Sequence, residues 1–123
     1  LRNLLESEIS QVVDYFIISA ADITTAGQTY FVAPASGTIT SFRSALQGAI
    51  GTADELVRLR IGGTLVTDSQ ITIAYSGSAA GDVDSATPSA NNTVSAGAAV
   101  EIEYDGASTG SVGAVFTVGI RRS

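Results

Sequence analysis

The sequence predicts an all-β protein, a jelly-roll-like antiparallel β-sandwich preceded by a short helix or arm. Three observations carry this. Short runs of β-branched and aromatic residues recur between glycine, proline, serine and aspartate. Two of those runs alternate strictly between apolar and charged residues. Only the opening stretch departs from that pattern, with apolar residues three and four apart.

In "LRNLLESEISQVVDYF" the residues Leu1, Leu5, Ile9, Val12 and Phe16 fall on one helical face. "QVVDYFIIS" is also rich in strand-forming types, so helix is expected up to about Ser10 and strand from about Val12. The chain therefore divides into an arm, residues 1–11, and a sandwich, residues 12–123. A stripe as short as Leu1, Leu5 and Ile9 needs a surface to fold on, because isolated helices under about 12 residues are marginal in water. These three are candidate interface residues. No methionine occurs, so residue 1 is expected not to be the start of translation.

Seven strand runs follow: 28–34, 38–48, 56–62, 64–67, 70–75, 99–105 and 112–120. Val57, Leu59 and Ile61 oppose Arg58 and Arg60, while Val100, Ile102 and Tyr104 oppose Glu101, Glu103 and Asp105. Each of these strands has one core face and one wet face. If the two are neighbours, their outward charges pair across the sheet; otherwise Arg58 and Arg60 are interface candidates for a partner's acids. In the last strand Ala114, Phe116, Val118 and Ile120 share a face, and Val115 on the reverse implies a partly covered second side. Arg43, a lone charge in "TSFRSAL", is a further interface candidate. Gly62-Gly63 signals a two-residue hairpin and Asp105-Gly106 opens a longer turn. Pro34 ends a strand where no ladder hydrogen bond is lost.

Composition excludes several kinds of chemistry. At 123 residues the chain makes one domain with a core that needs neither disulfide nor metal. Cysteine, histidine, methionine and tryptophan are absent, which removes thiolate and imidazole chemistry and the soft metal ligands. No cofactor is expected. The net charge is -6 and all six basic residues are arginine, so no surface fit for nucleic acid is expected. Nor is a membrane partner, since no apolar run reaches the ~18 residues of a span.

Three acidic or polar groupings remain. Asp82 and Asp84, in "SGSAAGDVDSATPSANN", lie near Asn91 and Asn92 and invite a calcium reading, but the further acids of known calcium loops are missing. The stretch is expected to be a long surface connection without metal. Glu101 and Glu103 lie about 6–7 Å apart along one strand face, a spacing compatible with glycoside hydrolysis, but no tryptophan lines a cleft beside them. No catalytic residue is assigned. Asn91-Asn92-Thr93 matches the glycosylation pattern, which matters only in a eukaryotic secretory route.

The pieces "YFVAPASGTI", "GSAAGDVDSATPSANNTVSAG" and "VEIEYDGAST" resemble small structural proteins of tailed bacteriophages, the head decoration or cement proteins. The likeness extends over roughly residues 17–120. It implies a sandwich or jelly roll, commonly a homotrimer, bound to the major capsid protein on the outside of the virion. No active residues transfer with it. Where the family often carries an acid, "VSAGAAV" has Ala98. The expected function is thus a non-enzymatic protein that stabilises a capsid. The alternatives are a phage tail or fibre component and a carbohydrate-binding module, the latter disfavoured by the missing tryptophan.

Overall fold

The computed structural model describes residues 12–123, so Leu1, Leu5 and Ile9 and the expected N-terminal helix lie outside the described residues. Ten strands occur among the described residues. In chain order they are β1 (Val13–Ala20), β2 (Gly27–Val32), β3 (Gly37–Leu46), β4 (Glu55–Ile61), β5 (Thr64–Leu65), β6 (Ile71–Ile73), β7 (Val83–Ala86), β8 (Thr93–Val94), β9 (Ala99–Tyr104) and β10 (Ala114–Arg122).

They form two five-stranded antiparallel sheets, packed as a jelly-roll-like sandwich. The first runs β1-β10-β3-β7, with β8 also paired to β3. The second runs β2-β9-β4-β5, with β6 also paired to β4. Period-2 alternation explains why the faces separate. In β1 Phe16 and Ile18 turn inward while Tyr15 and Ile17 are exposed, and in β4 Val57 and Leu59 are fully buried between half-exposed Arg58 and Arg60.

The expected inward face of the last strand is observed: Ala114, Phe116, Val118 and Ile120 are all buried. Phe116 stacks on Phe42 of β3, with ring centroids 5.5 Å apart and planes at 25°. Phe16 and Phe31 meet at 6.1 Å near the edges of the two sheets. Such aromatic pairs add about 0.5–1.5 kcal/mol beyond the area they bury. Phe16 and Phe31 link the two sheets, whereas Phe42 and Phe116 stack on adjacent strands of the first sheet.

The glycine turns expected from the sequence are present. Gly62 and Gly63 both have positive φ, 58° and 82°, as a two-residue hairpin between β4 and β5 requires. Gly106 has φ 69°, and a Cβ there would lie 2.2 Å from the Ala26 nitrogen. Only glycine lets the β9–β10 loop press on the β1–β2 loop at this point.

Two expectations fail locally. The stretch from Ser76 to Asn92 is not one surface connection: Val83–Ala86 forms β7, which pairs with Ala45 back to Phe42. Its own composition is weak for a strand, and the ten-residue β3 supplies the ladder that recruits it. The expected runs 64–67 and 70–75 shrink to β5 and β6 because Ser69 interrupts them. Its buried hydroxyl accepts from the Leu59 amide at 3.0 Å and so takes the place of a strand partner.

Candidate functional site

The outward face of the β2-β9-β4 sheet carries most of the described acidic and basic side chains that lie close enough to pair. Register brings its residues into rows. Gln28 of β2, Glu103 of β9 and Arg58 of β4 stand side by side, and the next row is Tyr30, Glu101 and Arg60. The expected cross-strand pairing is present, but it converges on one acid. Glu103 Oε1 lies 3.2 Å from Arg58 Nε and its Oε2 lies 3.2 Å from Arg60 Nε. The Arg60 nitrogen donates a hydrogen bond to that oxygen, whereas the buried Arg58 nitrogen is at ion-pair distance without hydrogen-bond geometry.

Beside this clamp lies an open depression of about 430 Å³. Ala26, Gly27 and Gln28 border it from β2 and the preceding loop, Arg58 from β4, and Glu103 to Asp105 from the end of β9. Tyr104 is held by its hydroxyl, which lies 3.2 Å from the Thr29 hydroxyl. Tyr30 stands one row along the same face and is 58% exposed, a flat amphipathic ring with no partner over it among the described residues.

Against Asp105, which borders the depression, sits a group that the sequence reading overlooked. Glu55 opens β4 and is completely buried. Its two carboxyl oxygens accept from the Gly106 amide at 2.8 Å and the Ser108 amide at 3.1 Å. Burial, and then contact with Asp105, lift its pKa to about 7 against the pull of those amides. For Asp105 burial works the same way, but the Glu55 side chain, the amides of Leu56 and Ala107 and the charge of Arg58 outweigh it, so its carboxyl lies below the usual range. The parity of "ELVRLRI" held the signal, since Glu55 shares the inward phase of Val57 and Leu59.

The remaining sequence candidates are dispersed. Arg43 is exposed on the outer face of the other sheet, across β3 and β10 from Thr117. Asp82 closes its own turn by accepting from the Ala79 amide at 2.9 Å. Asp84 faces Ser44, and burial, then the nearby Asp82 charge, raise its pKa. The Asn92 side chain donates to the Ile39 carbonyl at 2.8 Å, and that of Asn91 to Thr67 at 3.4 Å. Among the described residues no three His, Cys, Asp or Glu side chains gather where a metal could be held.

No protein-family model matches the chain, and no curated protein does. Solved structures do. CsCBM6-3 from Clostridium stercorarium, determined in complex with cellobiose, superposes with TM-score 0.53 and 17% identity, covering 90% of this chain and 82% of that one. A second family 6 carbohydrate-binding module gives TM-score 0.53 and 12% identity over 93% and 95% of the two chains. The catalytic domain of a GH87 alpha-1,3-glucanase in complex with nigerose gives TM-score 0.52 and 12% identity, and this chain spans 22% of its length. At these identities the likeness defines the fold, a β-sandwich of the kind these proteins contain.

Proposed function

We propose that this domain is a non-catalytic carbohydrate-binding module whose site is the outer face of the β2-β9-β4 sheet. The observation that carries the reading is the exposed ring of Tyr30 beside a fixed row of hydrogen-bonding groups and an open depression. A sugar presents an apolar C–H face and a rim of hydroxyls. A flat aromatic ring suits the first, and Gln28, Glu101 and the clamped Arg58, Arg60 and Glu103 suit the second. The sandwiches similar to this one include carbohydrate-binding modules, which supports the same reading.

A binding role accounts for the acids better than hydrolysis does. Glu103 is engaged by two guanidiniums, and Glu55, the acid whose pKa is lifted to about 7, is sealed from any substrate. Gel retardation in soluble glucans tests the proposal. The wild-type chain should be slowed by at least one neutral glucan and Tyr30→Ala should run free, both with unchanged melting. Free migration in every glucan would refute it.

The capsid-stabilising homotrimer implied by "YFVAPASGTI" and "VEIEYDGAST" is a separate proposal, supported by the sequence likeness. Co-sedimentation with undecorated phage heads distinguishes the two.

A further inference from the structure

Among the described residues Glu55 is the one ionisable side chain that is completely buried. The Gly106 and Ser108 amides that donate to it both belong to the β9–β10 loop. The same loop is tied beside Glu55 as well: the Ser108 hydroxyl donates to the Ala53 carbonyl, and Gly51 and Thr109 exchange two backbone hydrogen bonds of 3.0 Å. Gly106 in turn presses on Ala26, and Ala26 borders the depression. Two contacts thus lead from the Glu55 carboxyl, through Gly106, to the rim of the depression.

We propose that the proton on Glu55 is a latch: while it is present the β9–β10 loop stays seated on Glu55 and Ala26, and its loss releases the loop and reshapes the rim of the depression. The reason lies in the charge count. With the proton in place, Glu55 and Asp105 together carry one negative charge, which the Leu56 and Ala107 amides meet at Asp105, each at 3.1 Å. Without it two carboxylates lie together where Glu55 has no access to water, and Arg58, the cation that acts on Asp105, also pairs with Glu103. The Gly106 and Ser108 amides offset part of that repulsion. A loop that swings outward relieves the rest by admitting water.

Other charged groups on the adjoining segments are already engaged. Asp54 accepts from the Tyr75 amide at 3.1 Å, and Asp22 of the β1–β2 loop accepts from the Thr24 amide at 2.8 Å and the Thr25 hydroxyl at 3.0 Å. Opposite Glu55, β6 presents the uncharged Ile73. Release is therefore governed by the Glu55–Asp105 pair. Burial and the contact with Asp105 put the Glu55 pKa at about 7, so the latch is closed in mild acid and opens above neutrality. For a ligand that needs the closed rim, affinity should fall about three- to tenfold between about pH 6 and pH 8. That consequence rests on the sugar-binding reading, whereas the latch does not.

Amide spectra of the isotope-labelled full chain, recorded without ligand from about pH 5 to pH 9, read the latch itself. The proposal expects the Gly106, Ser108, Ala26 and Gly27 signals to shift together around neutral pH, with hydrogen exchange at Gly106 and Ser108 then faster than base catalysis alone gives. Asp105→Asn should move the midpoint to lower pH, and Glu55→Gln should abolish it. Three results overturn the latch: no titration at Gly106 and Ser108, a titration there that leaves Ala26 and Gly27 unmoved, or an unchanged midpoint in Asp105→Asn. Titration with cello-oligosaccharides at the two pH values then reads the consequence. Weaker binding at the higher pH supports the coupling, and equal affinity at both with a moving latch overturns it. A moving latch in a chain that binds no sugar at either pH would uphold the latch and count against the sugar-binding reading.

Discussion

The Glu55 carboxyl is buried against Asp105, and the two acids hold opposite displacements, one pushed up to about 7 and the other pulled below its usual range. The folded state therefore grips the Glu55 proton more tightly than the unfolded chain does. Its stabilisation is fully present below the unfolded value of 4.5 and is lost as pH rises through about 7. Asp105 acts in the opposite sense, only at more acidic pH. Urea denaturation should give a stability on the order of 1–3 kcal/mol lower at pH 8 than at pH 5. Glu55→Gln should flatten that slope. A wild-type slope in the variant would assign the dependence to another group.

Phe116 and Phe42 stack on adjacent strands of the first sheet, both fully buried. Phe116→Ala removes one ring from a site that cannot collapse around the loss, at a cost of about 3–5 kcal/mol. Tyr30→Ala, on an outer face, should stay within about 0.5 kcal/mol of wild type. Equal melting of the two variants would contradict this assignment of faces.

Gly106 and Gly62 both have positive φ but differ in surroundings. A Cβ at Gly106 meets the Ala26 backbone at 2.2 Å, whereas at Gly62 it meets nothing within 4 Å. Gly62→Ala should cost about 1 kcal/mol through its backbone conformation alone. Gly106→Ala adds displacement of the β1–β2 loop and should cost about 2 kcal/mol or more. Thermal melting of the pair checks the order, and a reversed order would mean that the two loops do not touch.

Asp82 and the two asparagines spend their side chains on turns and strand ends. Melting should then be the same in calcium and in chelator. A rise of several degrees with calcium, abolished in Asp82→Ala and Asp84→Ala, would establish a metal loop instead.

Alternation made most of the sandwich legible. The phases of "LVRLRI" and "VEIEY" located the inward residues, the outward charges and the pairing between β4 and β9. Local pattern gave no access to β7 and β8, since "VDSA" and "TV" become strands only because β3, paired to β10 along one edge, offers them its other edge. The site was half visible. Charges on β4 and β9 marked its face, but which arginine meets which glutamate depends on side-chain reach, and both chose Glu103 over Glu101. For Tyr30 the only signal is the outward phase of Gln28, Tyr30 and Val32 in "GQTYFV", which leaves its aromatic ring exposed.

Sugar binding at the Tyr30 face is the central claim, and calorimetric titration with cello-oligosaccharides and α-1,3-linked gluco-oligosaccharides measures it directly. The account predicts saturable, exothermic binding by the wild-type chain. It also predicts loss of that heat in Tyr30→Ala and weakening in Gln28→Ala, each with wild-type melting. Absence of heat with both sugar series, or binding that survives Tyr30→Ala unchanged, would contradict it.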